Sequence, residues 1–228
     1  MKRSIFLMIG IISISNLFSF MCIVSHAQEF GSFTDPINNK TYKTVKIGTQ
    51  IWMAENLSAE KFSNGDPIPL AETDADWKKA AKEGKAAWCF YNNAYSYGDQ
   101  YGKLYNGFTI TDSRNVCPAG WHVPTNEEWK TLENYVGGSV VGGIKMKAVA
   151  GWNAVGGATN SSGFSALPGG IRFNISQFVY MGRNGYWWSS TPHGSGKAWS
   201  RFLSDADTFI YLRSFHKKSG LSVRCIKN

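Results

Sequence analysis

The segment Cys117-Pro118-Ala119-Gly120-Trp121-His122-Val123-Pro124-Thr125-Asn126-Glu127-Glu128-Trp129 joins a short apolar strand to a helix start. Thr125 stands where an N-cap belongs, and Glu128, three residues on, completes the pattern of a capping box. The amphipathic helix that follows is expected to run to about Tyr135. At the far end of the chain, Ser222-Val223-Arg224-Cys225 lies within an apolar run from Leu221 to Ile226 that reads as a final core strand.

Toward the N-terminus, Phe33 to Asn39 is rich in turn residues. Thr41 to Ile47 alternates side chains at period two, which predicts a half-buried strand, and Gly48-Thr49-Gln50 turns it into a second strand at Ile51-Trp52-Met53. Asp74 to Glu83 has few breakers and predicts a helix carrying Trp77 inward, with Gly84 as its stop. The aromatic runs Ala87 to Asn93 and Tyr101 to Phe108 are expected to build core. Beyond the central helix, Gly137 to Gly163 is glycine-rich, with a short helix expected over Ile144 to Ala150. Short β-like runs return at Ile171–Phe173, Tyr186–Ser190, Ala198–Leu203, Phe209–Leu212 and Leu221–Ile226, spaced as hairpins of a twisted antiparallel sheet.

The first 27 residues read as a secretory signal: Lys2 and Arg3, an apolar run from Ile5 to Val24, and Ser25-His26-Ala27 before Gln28. Cleavage after Ala27 leaves 201 residues of the 228, a length suited to one domain, and removes two basic and no acidic residues, so the net charge falls from +8 to +6. The mature chain is expected to be secreted, periplasmic or on the cell surface, without a transmembrane helix. No dense Lys/Arg cluster follows a phosphate backbone, so nucleic acid is not an expected partner. Three cysteines remain, Cys89, Cys117 and Cys225. In an oxidising compartment this odd count predicts one structural bridge and one spare thiol.

Several landmarks occur together and in order: Ile51-Trp52-Met53-Ala54-Glu55-Asn56-Leu57, the aromatic-Asn-Asn element at Phe90 to Asn93, Tyr101-Gly102, Leu104-Tyr105-Asn106, the Cys117 segment and the closing Val223-Arg224-Cys225. In these the chain resembles the Fibrobacter succinogenes major paralogous domain, a family of exported bacterial proteins without an established activity. The resemblance runs from about Asp35 to the end. It implies a signal over 1–27, a short segment over 28–34 and a single domain over 35–228. Val123 to Trp129 is also similar to the Leu-Pro-Thr-x-x-Glu-Trp element of formylglycine-generating enzymes, whose closing Phe-Arg-Cys strand Val223-Arg224-Cys225 resembles. That similarity implies an α+β, C-type-lectin-like (formylglycine-generating-enzyme-like) domain, with two helices on short irregular antiparallel sheets and long loops. It further implies a Cys117–Cys225 disulfide, with Cys89 free and buried.

The chemistry-bearing residues narrow the functional classes. Formylglycine-generating enzymes hold copper on a cysteine pair just before the closing strand, and Ala198 to Gly220 contains no cysteine. The carboxylate pairs Asp74/Asp76, Glu127/Glu128 and Asp205/Asp207 are sequence neighbours of the kind found in turns and helix starts, and Phe209 and Tyr211 interrupt the calcium-loop spacing after Asp207. His122, His193 and His216 lack a second ligand at helical spacing. No cofactor and no metal are expected. The nine tryptophans suggest sugar stacking, with Trp121, Trp129, Trp187 and Trp188 assigned to core and the ligand-binding candidates taken from loops: Trp152, Asn153, Asn174, Arg183, Asn184 and His193. The leading expectation is a non-enzymatic binding module for a glycan or a surface protein. The alternatives are a structural or adhesive component of a surface assembly and a polysaccharide hydrolase.

Overall fold

The computed structural model describes residues 28–154, 157–174 and 176–228; the expected signal lies outside them. The strands are β1 Glu29–Asp35, β2 Lys40–Ile47, β3 Gln50–Met53, β4 Trp88–Cys89, β5 Leu104–Asn106, β6 Trp121–His122, β7 Gly169–Arg172, β8 Phe178–Met181, β9 Asn184–Pro192, β10 Lys197–Ser204, β11 Tyr211–His216, β12 Gly220–Leu221 and β13 Ile226–Lys227. The helices are α1 Asp74–Glu83, α2 Gly98–Tyr101, α3 Asn126–Tyr135 and α4 Gly142–Met146. The fold is α+β, dominated by two open sheets with a few short helices. None of the described helices is long and apolar enough to cross a membrane.

One sheet has the order β1-β2-β3-β13-β6, and the other runs β11-β10-β9-β7-β12-β5-β4 with β8 paired to β7. Every pairing is antiparallel except β7 with β9, which meet in parallel at Gly170 and Gly185. The β2–β3 hairpin closes through Gly48-Thr49, with Ile47 opposite Gln50. Gly48 takes φ 62°, which a type II′ turn demands of its first central residue and which glycine adopts without Cβ strain. Both ten-residue helices begin with the reciprocal capping box: Thr73 with Asp76, and Thr125 with Glu128. Gly84 ends α1 in the left-handed region.

The hydrophobic interior lies on both faces of the sheets. Adjacent side chains of a strand point to opposite faces, so Trp188 enters a core with Tyr42, Trp88, Tyr105 and Val223, while Trp187 enters another with Trp52, Trp129 and Leu203. The expected core tryptophans Trp121, Trp129, Trp187 and Trp188 are all buried, Trp187 and Trp188 fully. A smaller cluster beneath α1 holds Trp77, Leu104 and Cys89. The bridge joins Cys117 to Cys225, and Cys89 is a free buried thiol.

Beyond shifts of a residue or two at strand ends, the boundaries differ from the sequence reading in five places, one of them the strand expected over Phe209–Leu212, which runs Tyr211–His216. The segment 28–34, expected to precede the domain, instead enters it: Glu29–Asp35 forms the edge strand β1, paired along its length with β2. Most of its side chains are exposed, so it carries no period-two signal. The expected strand Leu221–Ile226 is split, because Ser222 to Cys225 passes between the sheets. Its backbone bonds Tyr186 and Trp188 on one side (Ser222 N–H to Tyr186 O, Trp188 N–H to Ser222 O, both 3.1 Å), and Leu57 and Met53 on the other. The expected loop over residues 174–184 contains β8, which pairs with β7 as a hairpin. The short helix lies at Gly142–Met146 rather than over Ile144–Ala150, since Lys147 turns extended and Ala148 N–H bonds Ala166 O at 2.9 Å.

Candidate functional site

The row Tyr186, Phe202 and Tyr211 is fixed by cross-strand register, Tyr186 opposite Phe202 and Phe202 opposite Tyr211. Period-two pleating places all three rings on one face. The Tyr186 and Phe202 rings stack at 5.2 Å and 28°, and Phe202 and Tyr211 at 4.4 Å and 8°. Phe215 meets Tyr186 edge-on at 5.6 Å, and Phe173 and Tyr180 close the opposite wall, 6.3 Å apart. All of these except Tyr211, which lines the cavity between α3 and β11, bound an open groove of about 600 Å³ where the Trp188 core reaches solvent, together with Arg183, Asn184, Ser204, Arg213 and Ser214.

The polar groups are placed by the same strands. Asn184 opens β9 and its amide donates to the Tyr186 hydroxyl at 2.7 Å. Burial pushes the Tyr186 phenol above its ordinary pKa, against the opposing pull of Asn184 and the Arg213 charge, so it remains a neutral hydroxyl at physiological pH. Tyr180 is the unusual member. It is 44 % exposed, yet its backbone sits at φ 67°, a left-handed conformation that a bulky aromatic residue rarely holds. Such strain costs on the order of 1–3 kcal/mol and is concentrated at functional sites.

Of the candidates read from sequence, Arg183 and Asn184 line this groove. Exposed Asn153 lies against the turn just before them, its backbone N–H bonding Gly182 O at 2.7 Å. Asn174 is exposed in the β7–β8 turn and does not line the groove. His193 packs on Trp199 at 4.1 Å, beyond the other end of β9 and roughly 30 Å along the strand from Asn184 at ~3.3 Å per residue. Trp152 is a correction: it is 5 % exposed, its indole N–H bonds Ala166 O at 3.1 Å, and it packs in the Trp187 core. The glycine-rich segment around it hid this, because its anchors, Phe164 and Ala166, are distant in sequence. Tyr180 falls within the candidate stretch from Asn174 to Asn184, whereas Phe173, Tyr186, Phe202, Arg213 and Phe215 were missed as site residues. The alternation Tyr211-Arg213-Phe215 carried a signal for one shared face, but the partner strand could not be read from it.

The remaining chemistry is committed to structure. Asp74 pairs with the buried Arg172 at 2.6 Å, Asp76 and Glu128 complete caps, and Asp207 accepts from Phe209 N–H and the Tyr211 hydroxyl. His122 lies 2.7 Å from Glu128 and 2.6 Å from the Asn228 amide oxygen. Among the described residues no group of three or more His, Cys, Asp or Glu side chains could hold a metal. A larger cavity of about 940 Å³ beside Lys103 has its amine satisfied by Ser58 O at 2.6 Å and Glu60 at 2.9 Å. A third, between α3 and β11, is floored by Arg201 and Glu133, 3.7 Å apart.

The buried interior explains the sequence landmarks. Arg224 is fully buried, and its guanidinium donates to Phe164 O and to Asn56 Oδ1 (2.8 Å), the oxygen that also accepts the Trp187 indole N–H at 2.8 Å. It lies 4.2 Å over the Phe164 ring. Asn56 thus ties the Ile51–Leu57 landmark to the closing Val223-Arg224-Cys225. No curated protein and no solved structure matches the chain. The family model of the Fibrobacter succinogenes major domain matches residues 45–227, a span that takes in the Asn56–Arg224 knot, the Cys117–Cys225 bridge and the aromatic groove. The chain belongs to the Fibrobacter succinogenes major domain family.

Proposed function

We propose that this is an exported, non-enzymatic binding domain that takes a glycan in the groove between β8 and β11. The observation that carries the reading is Tyr180, an exposed ring held in a strained backbone at the mouth of an aromatic trough. The exposed Tyr180 ring offers a flat apolar face to the C–H face of a sugar, while Asn184, Ser204, Ser214 and the arginines supply hydrogen bonds to hydroxyls. A deep core would have no use for that mixture at its open edge. Export is supported by the N-terminal sequence pattern and is in keeping with the disulfide. A C-type-lectin-like assignment is supported by the strand-helix unit after Cys117 and by the last strand, β13, lying between β3 and β6.

The test is retention of the 28–228 protein on a panel of immobilised polysaccharides, followed by titration with the corresponding oligosaccharides. Tyr180→Asn, which removes the ring while tolerating the left-handed backbone, should abolish binding without lowering the melting temperature. Tyr135→Ala, at a 58 % exposed ring elsewhere, should leave binding intact. Binding that survives both Tyr180→Asn and Phe215→Ala, or the absence of any retained glycan, would overturn the reading.

A further inference from the structure

The groove is polar in one sign. Arg183 and Arg213 both line it, both are exposed, and neither guanidinium has a hydrogen bond or an ion pair among the described residues. None of the lining residues is Asp or Glu. Elsewhere in the molecule arginine is used differently: Arg114 is paired with Asp66 and Asp112, Arg172 with Asp74, and Arg201 with Glu133. Two guanidinium groups without a hydrogen-bonded partner among the described residues, beside an aromatic trough whose lining holds no carboxylate, leave a site open to a charge from outside. A neutral sugar would leave both uncompensated. An acidic sugar matches them, because the planar guanidinium fork accepts a carboxylate or sulfate in a two-point contact while the sugar ring lies on the aromatic faces.

We infer that the ligand is an anionic saccharide, its charged substituent held by Arg183 and Arg213 and its ring stacked on the exposed Tyr180 side chain; this rests on the reading of the groove as a glycan site. Carboxylate and sulfate present the same charge to the two arginines, and they are separated by experiment.

Four ligands distinguish the outcomes in calorimetric titration of the 28–228 protein: an oligogalacturonate, its carboxyl-reduced neutral counterpart, a sulfated galactan oligosaccharide and a neutral galactan oligosaccharide. The expected result is binding of one or both charged ligands in preference to the neutral ones. Affinity should fall roughly tenfold in each of Arg183→Gln and Arg213→Gln, and should weaken as salt rises from 50 to 500 mM. Preference for the oligogalacturonate assigns a uronate and preference for the sulfated ligand a sulfate ester. Equal binding of charged and neutral ligands, with Arg183→Gln and Arg213→Gln unaffected, would overturn the anionic assignment and leave the glycan site standing. If none of the four ligands, nor any glycan of the wider panel, bound, both would fall. Because both arginines are exposed, the substitutions should not alter folding, and unchanged melting temperatures serve as the control.

Discussion

Tyr180 and Arg224 show how single residues carry opposite kinds of constraint. At Tyr180 the backbone is strained and the side chain is open to solvent, so the residue contributes less to stability than an aromatic usually does. Tyr180→Gly should leave the melting temperature unchanged or raise it, whereas Tyr180→Val, β-branched at the same φ, should cost about 1–2 kcal/mol. Thermal melts of the two variants check this, and a large loss for Tyr180→Gly would make the ring a structural prop. Arg224 is the reverse. Burial pulls its pKa down to about 9, so it keeps its charge at neutral pH, held by carbonyl oxygens, Asn56 and the Phe164 ring instead of a bonded carboxylate. Arg224→Met removes the donor from Phe164 O and from Asn56, and should destabilise the domain by roughly 2–4 kcal/mol in denaturant unfolding.

At the scale of elements, α3 depends on its cap. Partial burial pushes the Glu128 carboxyl up, but hydrogen bonds from Thr125 and His122 outweigh it and leave its pKa below the ordinary value. A depressed carboxylate pKa contributes stability above the unfolded value of about 4.3 and loses it as pH falls through the folded value. Glu128→Gln should therefore cost about 1 kcal/mol at pH 7 and nothing once the wild-type carboxyl is protonated; a cost that persists undiminished in acid would assign the loss to packing. This helix was legible in the sequence because Thr125 and Glu128 act over three residues, as was α1 between Thr73 and Gly84. Strand β1 was not, since an exposed edge strand is defined by its partner rather than its own pattern. The groove was half legible for the same reason. Arg183 and Asn184 sit at a turn and could be read locally, whereas Tyr186, Phe202 and Phe215 become one surface only when β9, β10 and β11 are in register. Trp152 failed in the opposite direction, a loop residue drawn inward by Phe164 and Ala166.

Across the whole molecule, the closing segment from Ser222 to Cys225 is the seam between the two sheets, and the bridge to Cys117 locks it over a sequence separation of 108 residues. Chain-entropy reasoning gives about 4–5 kcal/mol for a loop of that length, so Cys117→Ala with Cys225→Ala should lower stability markedly and loosen β13 from β3 and β6. Cys89 should be indifferent to oxidants while the domain is folded. Burial pushes its thiol up to about 11, and alkylation should occur only on unfolding. The scaffold thus places its rigidity at the seam and, among the described residues, its one strained, exposed aromatic at the groove. The most direct test is an NMR titration of the isotope-labelled 28–228 protein with the charged and neutral oligosaccharides. Shift changes concentrated at Tyr180 to Tyr186, Phe202 to Ser204 and Arg213 to Phe215, saturating together, are the predicted result. No shifts at millimolar ligand, or shifts centred on the cavities beside Lys103 or Arg201, would contradict it.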